Sequence, residues 1–264
     1  MGVARASVGH DKSLKLERPM GDTMIFGSEE PHFGSHSHLI DDDGWVYLLG
    51  SQDAKAKDLD MRSHLARIRQ NVDFTQRDNY EFLIATPDSN GKWEKSYNHV
   101  DDLQKLGELD GYGMGSLFKA PGFAPPGRPY VWVGVNKFMA GHFYIGSAPF
   151  ITGPWEVHDL GDLPNDPDGP SGGPKYCLYP NPKASRLERG ELLCLWTDAT
   201  EMGGKVLAAR FWFEGAFEAP LPAQEPRREG RGHGHGGGHG HGHGDWKTGV
   251  KDGLKGKLEG FLRR

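Results

Sequence analysis

The sequence predicts an all-β fold of propeller-like arrangement, and three observations carry that expectation. The stretch from Gly113 to Trp155 holds three short apolar runs, Ser116–Lys119, Tyr130–Val135 and His142–Gly146, each cut off by Gly or Pro. β-Branched and aromatic runs of this length and spacing read as consecutive antiparallel strands, and none is followed by a segment long enough to be a crossover helix. The 264 residues include 39 glycines and 18 prolines with 11% aromatics, the mixture that many short strands joined by tight turns produce. Finally, the order of runs recurs as about three units of roughly 60–75 residues, the grammar of four-stranded sheets packed around an axis.

Taken in order, residues 1–25 read as a loosely ordered polar arm, with Asp22–Gly27 a short strand candidate at its end and Ser28–His32 a polar loop. The domain proper spans residues 26–222. Its first unit runs through Ser35–Ile40, the acidic turn Asp41–Gly44, and the strand Trp45–Gly50. Gly44 is the residue such a hairpin requires. His64–Arg69 and Tyr80–Ala85 follow, and Asn90–Trp93 closes the unit. The second unit repeats the order with Gly115–Phe118, the proline-rich turn Pro121–Pro129, Tyr130–Val135, His142–Ser147 and Gly153–Val157. The third, beyond the loop Leu163–Pro174, holds Tyr176–Tyr179, Glu191–Trp196 and Val206–Phe213. Propellers close with about four to eight blades, so three units leave the ring open. Either the first 34 residues add structure, or the chain is part of a longer ring, or copies complete one another. A β-sandwich is the competing architecture.

Residues 223–245 form a Gly/His-rich linker, with His233, His235, His239, His241 and His243 alternating with glycine. Such a segment buries no apolar surface and is expected to be disordered, with weak binding of divalent metals through neutral imidazoles. Residues 246–264 place Trp246, Val250, Leu254 and Leu258 at helical spacing, flanked by lysines, while Gly249, Gly253, Gly256 and Gly260 each weaken a helix by about 1 kcal/mol.

Several classes are set aside. The net charge of −5 gives no general attraction to nucleic acid. No apolar run of 18 residues offers a membrane span, and the N-terminal residues lack an apolar signal-peptide core. Two cysteines, Cys177 and Cys194, exclude a disulfide framework and read as buried reduced thiols on neighbouring strands. There is no nucleophile elbow, phosphate loop or zincin helix, and Gly111–Gly115 lacks the βαβ setting of a dinucleotide fingerprint. No cofactor is implied.

The ordered set of motifs resembles a known family. It comprises Phe26-Gly27, His38 through Ser51, His64–Ile68, Tyr80–Phe82, Gly91–Trp93, Gly113–Phe118, Gly153–Trp155, Tyr179–Pro182, Gly190–Leu193 and Trp196–Asp198. Together these are similar to the five-bladed β-propeller family of the DUF4185 type, whose bacterial members include endo-D-arabinanases. The resemblance covers about Phe26 to Phe213 and corresponds to the later blades. It implies a carbohydrate-directed propeller, with glycoside hydrolase activity on a furanose or pentose-containing glycan. The family's first blades contribute acidic residues to the central pocket, and this chain begins too late to contain them. No catalytic residue therefore transfers by motif.

Glycoside hydrolysis needs two carboxylates flanking the scissile bond. In a propeller the pocket lies at the axis, lined by the starts of the innermost strands. That geometry selects Glu108 or Asp110 as the acid, with Glu29 or Glu30 as partner, and His36, His38, Tyr112, Ser116, Tyr176 and Tyr179 as sugar contacts. The competing reading makes the four acids solvated loop carboxylates. Asp41–Asp43 read as turn residues. His32, His36 and His38 invite a zinc reading, but a site would need a third ligand from elsewhere, so a structural or sugar-contacting role is preferred and no metal is assigned. Trp45, Trp93, Trp132, Trp155, Trp196 and Trp212 read as packing between units, with one of them at the rim available to stack on a sugar. A non-catalytic sugar-binding or protein-interaction scaffold is the alternative function.

Overall fold

In the computed structural model the described residues are 2–35, 37–52, 62–87, 91–136, 141–166, 174–199 and 204–213. The Gly/His-rich linker, the segment 246–264 and His36 lie outside them. The described residues form fourteen strands in four antiparallel sheets, none of them closed. β1 (Arg5–Val8) and β2 (Leu14–Glu17) make an exposed hairpin within the N-terminal arm. The first large sheet runs β3 (Ser37–Ile40), β4 (Trp45–Gln52), β5 (Arg62–Arg69), β6 (Tyr80–Ile84) and β7 (Lys92–Glu94). The second comprises β8 (Tyr112–Lys119), β9 (Tyr130–Asn136), β10 (His142–Ala148) and β11 (Glu156–Asp162). The third holds β12 (Lys175–Pro180), β13 (Glu191–Asp198) and β14 (Lys205–Trp212). Each strand pairs with its neighbour in sequence, so every sheet is a meander.

Local chemistry explains the first hairpin. Gly44 adopts a positive φ of 81°, a conformation that costs glycine little. One oxygen of Asp43 accepts from the Trp45 N–H at 3.0 Å and the other from the Tyr47 hydroxyl at 2.6 Å. Asp43 thus serves the turn, as its position in the sequence suggests. Asp22–Gly27, by contrast, forms no strand. Its apolar pair Ile25 and Phe26 is instead buried beside Phe33, Tyr80 and Phe82. The run is too short to pair and serves the core as a plug.

The large sheets pack face to face in chain order. Leu49, Leu65 and Leu83 of the first meet Leu117 and Trp132 of the second. The opposite face of the second sheet sends Val131, Val133 and Phe143 against Leu192, Trp196 and Phe211 of the third. The first strands lie together, with β3 against β8, and β12 against β8 and β9. Of the tryptophans, Trp132, Trp155 and Trp196 are buried, Trp45 and Trp93 are half-buried at the first interface, and Trp212 is exposed. A Cβ on Gly115 would lie 2.6 Å from Cε2 of Trp132, so the indole occupies the space that a side chain on β8 would need. Cys194 is buried, and its burial pushes the thiol up. Cys177 departs from the sequence expectation: it is exposed, at φ 56°, where the β12–β13 register breaks between Tyr176 and Tyr179.

Polar contacts fix the first two sheets to one another. Ser37 Oγ accepts from the Leu117 N–H at 2.6 Å. Asp41, 3% exposed, accepts from Lys119 Nζ at 2.6 Å, from the Tyr130 hydroxyl at 2.7 Å and from the Asp42 N–H at 2.7 Å. Burial works to raise its pKa, but the bonds from Lys119, Tyr130 and the backbone outweigh it and hold the carboxyl below the usual range. Asp41 therefore does more than shape its turn.

Two outcomes follow. Asp41→Ala strands a partly buried ammonium and a phenol, and is expected to lower the unfolding free energy by about 3 kcal/mol in urea titration, whereas Asp42→Ala, at an exposed site, should cost under about 1 kcal/mol. His64 is 1% exposed, with Nδ1 3.1 Å from the Gln104 carbonyl, and burial brings its pKa down to about 4. Because the unfolded chain takes up this proton more readily, the neutral imidazole's contribution is complete above the unfolded value of about 6.5 and is lost as pH falls toward 4. A loss on the order of 3 kcal/mol across that window is expected, and His64→Asn should flatten it.

Candidate functional site

A short 3₁₀ turn, Gly107–Leu109, is wedged between the first and second sheets and delivers the chain into β8. Glu108 Oε2 accepts from the Val157 N–H of β11 at 3.0 Å, while Asp110 Oδ1 accepts from the Ser63 N–H of β5 at 2.8 Å. Ser63 Oγ returns a bond to the Leu109 carbonyl at 2.9 Å. The two carboxylates thus reach to different sheets, each answering a main-chain donor. Glu108 remains exposed and Asp110 half-buried.

Beyond this turn Tyr112 opens β8 and lies across the sheet toward Tyr144 of β10, their ring centroids 4.8 Å apart at 56°. In the register Tyr112 lies opposite Asn136 of β9, and Gly134, two residues earlier on that strand, lies opposite Tyr144. Trp132 supports Tyr112 from behind at 5.3 Å. His142, two residues before Tyr144 on the same strand face, stacks beside it at 6.2 Å and 28°. Its Nε2 is 3.1 Å from Asp162 Oδ1 and its Nδ1 3.6 Å from Asp159 Oδ2. Asp159 faces Tyr144 because β11 is bulged where β10 passes from Phe143 to Tyr144. Burial raises the Tyr112 phenol, helped by the charges of Asp159 and Glu108; burial raises Tyr144 too, with Asp159, Tyr112 and Asp162 adding to it. The result is a half-buried aromatic ledge with carboxylates along its border.

The structure thus brings Glu108 and Tyr112 together with His142, Tyr144, Asp159 and Asp162. The last four were not among the sequence candidates. Their signal is period-two alternation on β10, where Phe143 and Ile145 turn into the core and His142 and Tyr144 turn to the opposite face.

The other candidates lie apart. Glu30 accepts from Arg77 Nη2 and the Tyr97 hydroxyl, both at 2.5 Å, and from the Gly27 N–H at 2.7 Å. The Arg77 guanidinium lies 4.4 Å from the Phe82 ring centroid and 4.9 Å from that of Phe26. Burial acts to raise the Glu30 pKa, yet the Tyr97, Gly27 and Arg77 contacts prevail and lower it, so the group is held ionised within a structural box. Glu29 is exposed next to it, and His38 is exposed on β3. Ser116 is half-buried opposite Val133. Tyr176 and Tyr179 belong to β12, half-buried and exposed respectively, opposite Thr197 and Leu195. A depression of about 550 Å³ beside β7, lined by Lys92, Glu94, Tyr97 and Asp101 among others, includes none of the sequence candidates. Among the described residues no group of three or more His, Cys, Asp or Glu is arranged to hold a metal ion, and no helix is long and apolar enough to cross a membrane.

No protein-family model and no curated protein matches the chain. Among solved structures, a protein of Bacteroides ovatus titled a "putative hydrolase" superposes with a TM-score of 0.49 at 20% identity, covering 65% of this chain. The chain spans 39% of that protein's length. A likeness of this size transfers no activity.

If Glu108 mainly caps the β11 N–H, its acceptor oxygen matters more than its charge. Glu108→Gln is expected to leave the unfolding free energy within about 0.5 kcal/mol, and Glu108→Ala to lose about 1 kcal/mol, both read by chemical denaturation.

Proposed function

We propose that this chain is a carbohydrate-directed protein of propeller-like arrangement that takes a glycan along the Tyr112–Tyr144 ledge. The observation that carries the reading is the ledge itself: aromatic faces for the apolar side of a sugar ring, bordered by carboxylates that accept from hydroxyls. Support for the propeller-like arrangement comes from the three successive meanders and from the packing of β8 against both β3 and β12. The motif resemblance to the DUF4185-type propellers favours a furanose or pentose-containing glycan as the ligand.

Hydrolysis is the second reading, favoured by one observation. Glu108 and Asp159 both lie near enough the Tyr112 phenol for their charges to raise it, so two carboxylates border one aromatic platform, and a glycosidase works with two carboxylates. In that reading Glu108 donates the proton and Asp159 is its partner. Non-catalytic binding is favoured by the engagement of Glu108 and Asp110 with backbone donors and by the depressed pKa of Glu30, which removes it as a proton donor at neutral pH. Of the two, binding is the function the geometry supports best.

Calorimetric titration with pentose oligosaccharides tests it. Tyr144→Ala is expected to weaken binding by about tenfold or more while the protein still melts cooperatively. Undiminished affinity in that variant would refute the assigned ledge. Reducing-end release by the unmodified chain, abolished in both Glu108→Gln and Asp159→Asn, would move the conclusion from binding to hydrolysis.

A further inference from the structure

We infer that two copies of this chain pair end to end, the N-terminal hairpin of each covering the outer face of the other's third sheet. The first observation is a sheet face without a cover. The first sheet is packed on both sides, against the second sheet and against Ile25, Phe26 and Phe33. The second is packed on both sides by its neighbours. The third has a core on one side only. Leu192, Cys194, Trp196 and Phe211 turn into that core, and strand alternation sends the residues between them outward. The register aligns Tyr179 with Leu195 and Ala208 and places Leu193, Val206 and Trp212 around them. Val206 is 72% exposed, Tyr179 59% and Trp212 51%, and none of the six joins a core cluster among the described residues. Arg210 and Glu191, the charges on this face, answer each other.

The second observation lies at the other end of the stack. In the β1–β2 hairpin Val8 pairs with Leu14 and Ala6 with Leu16, so four apolar residues share one face, while Arg5, Ser7, Lys15 and Glu17 take the other. Val8, Leu14 and Leu16 are 73%, 64% and 67% exposed. The hairpin's base is held by Val3 and Met20, which pack on the core beyond the first sheet. A two-stranded hairpin is marginal by itself in water, and contiguous apolar surface of this kind marks a contact. Both surfaces are exposed in the single chain, so the hairpin does not cover its own third sheet. Two chains placed end to end bring the surfaces together twice. Burying three large side chains removes on the order of 300 Å² from each surface. Four such surfaces amount to about 1,200 Å², the lower end for a stable interface, and a single contact gives half of that. Three large sheets from each copy also make a number at which radial arrays close. The pairing stands on packing and is independent of the glycan reading.

Sedimentation velocity of the full chain across a wide range of concentration tests the pairing, and a dimer is expected. Leu16→Asp and Val206→Asp each place a carboxylate in both contacts and are expected to weaken association about 100-fold or more. Leu16 and Val206 are exposed in the single chain, so either variant is expected to keep the melting profile of the unmodified monomer. Mixed in equal amounts, the two variants should associate more tightly than either does alone, because one of the two contacts is then unmodified. A monomer at every concentration would overturn the inference. So would a dimer broken by Val206→Asp and indifferent to Leu16→Asp, since two third sheets would then face each other. Assemblies that keep growing with concentration would overturn closure in pairs, because a head-to-tail contact that fails to close makes filaments.

Discussion

The buried carboxylate of Asp41 is the contact on which the arrangement of the first two sheets depends. It sits at the end of β3 yet takes its donors from β8 and β9, through Lys119 and Tyr130. With the Ser37–Leu117 bond on the same pair of strands, it sets how far along β8 the first sheet may slide. Apolar contacts such as Leu117 on Leu39 and Leu49 supply most of the burial energy, but they are non-directional and would tolerate several registers. A charge-assisted bond at 2.6 Å tolerates one. Everything that follows in space depends on that register. The Gly107–Leu109 turn fits its wedge because Ser63 and Val157 are held at the distance that Asp110 and Glu108 span.

The acidic side chains divide by what surrounds them. Asp41 and Glu30 are pulled inward, where desolvation works to raise their pKa, and several short donors outweigh it and hold each below the usual range. A buried ion pair of this kind adds little net stability compared with an apolar replacement, but losing one member is costly, so these groups act as locators. Asp159 and Asp162 lie nearer solvent and face the His142 ring, and Asp159 also accepts from the Gly161 N–H at 2.7 Å within the bulged strand β11.

Most strands were legible because period-two alternation and Gly/Pro breaks report burial directly. Glu191–Asp198 is a clear case, with buried and half-buried residues alternating from Leu192 onward. Asp22–Gly27 misled because three apolar residues in a row look like a strand, while pairing needs a neighbour, and this run only plugs the end of a core. β1 and β2 left no signal since every residue in them is exposed. Cys177 escaped its expected burial through a register break, and such breaks arise from tertiary fit. Glu108 and Tyr112 could be read as site candidates because they precede an innermost strand. His142, Tyr144, Asp159 and Asp162 could not, because they lie on the two outer strands of the second sheet. Asp159 comes opposite Tyr144 through a bulge in β11, which no residue pattern announces.

The measurement that bears most directly on this account is a crystal structure of the chain grown with a pentose oligosaccharide. The account expects a sugar ring against the faces of Tyr112 and Tyr144, with its polar groups toward Asp159 and Asp162 and the Asp41–Lys119–Tyr130 contacts unchanged. A sugar bound elsewhere, such as in the depression beside Tyr97, with the ledge left bare, would contradict it.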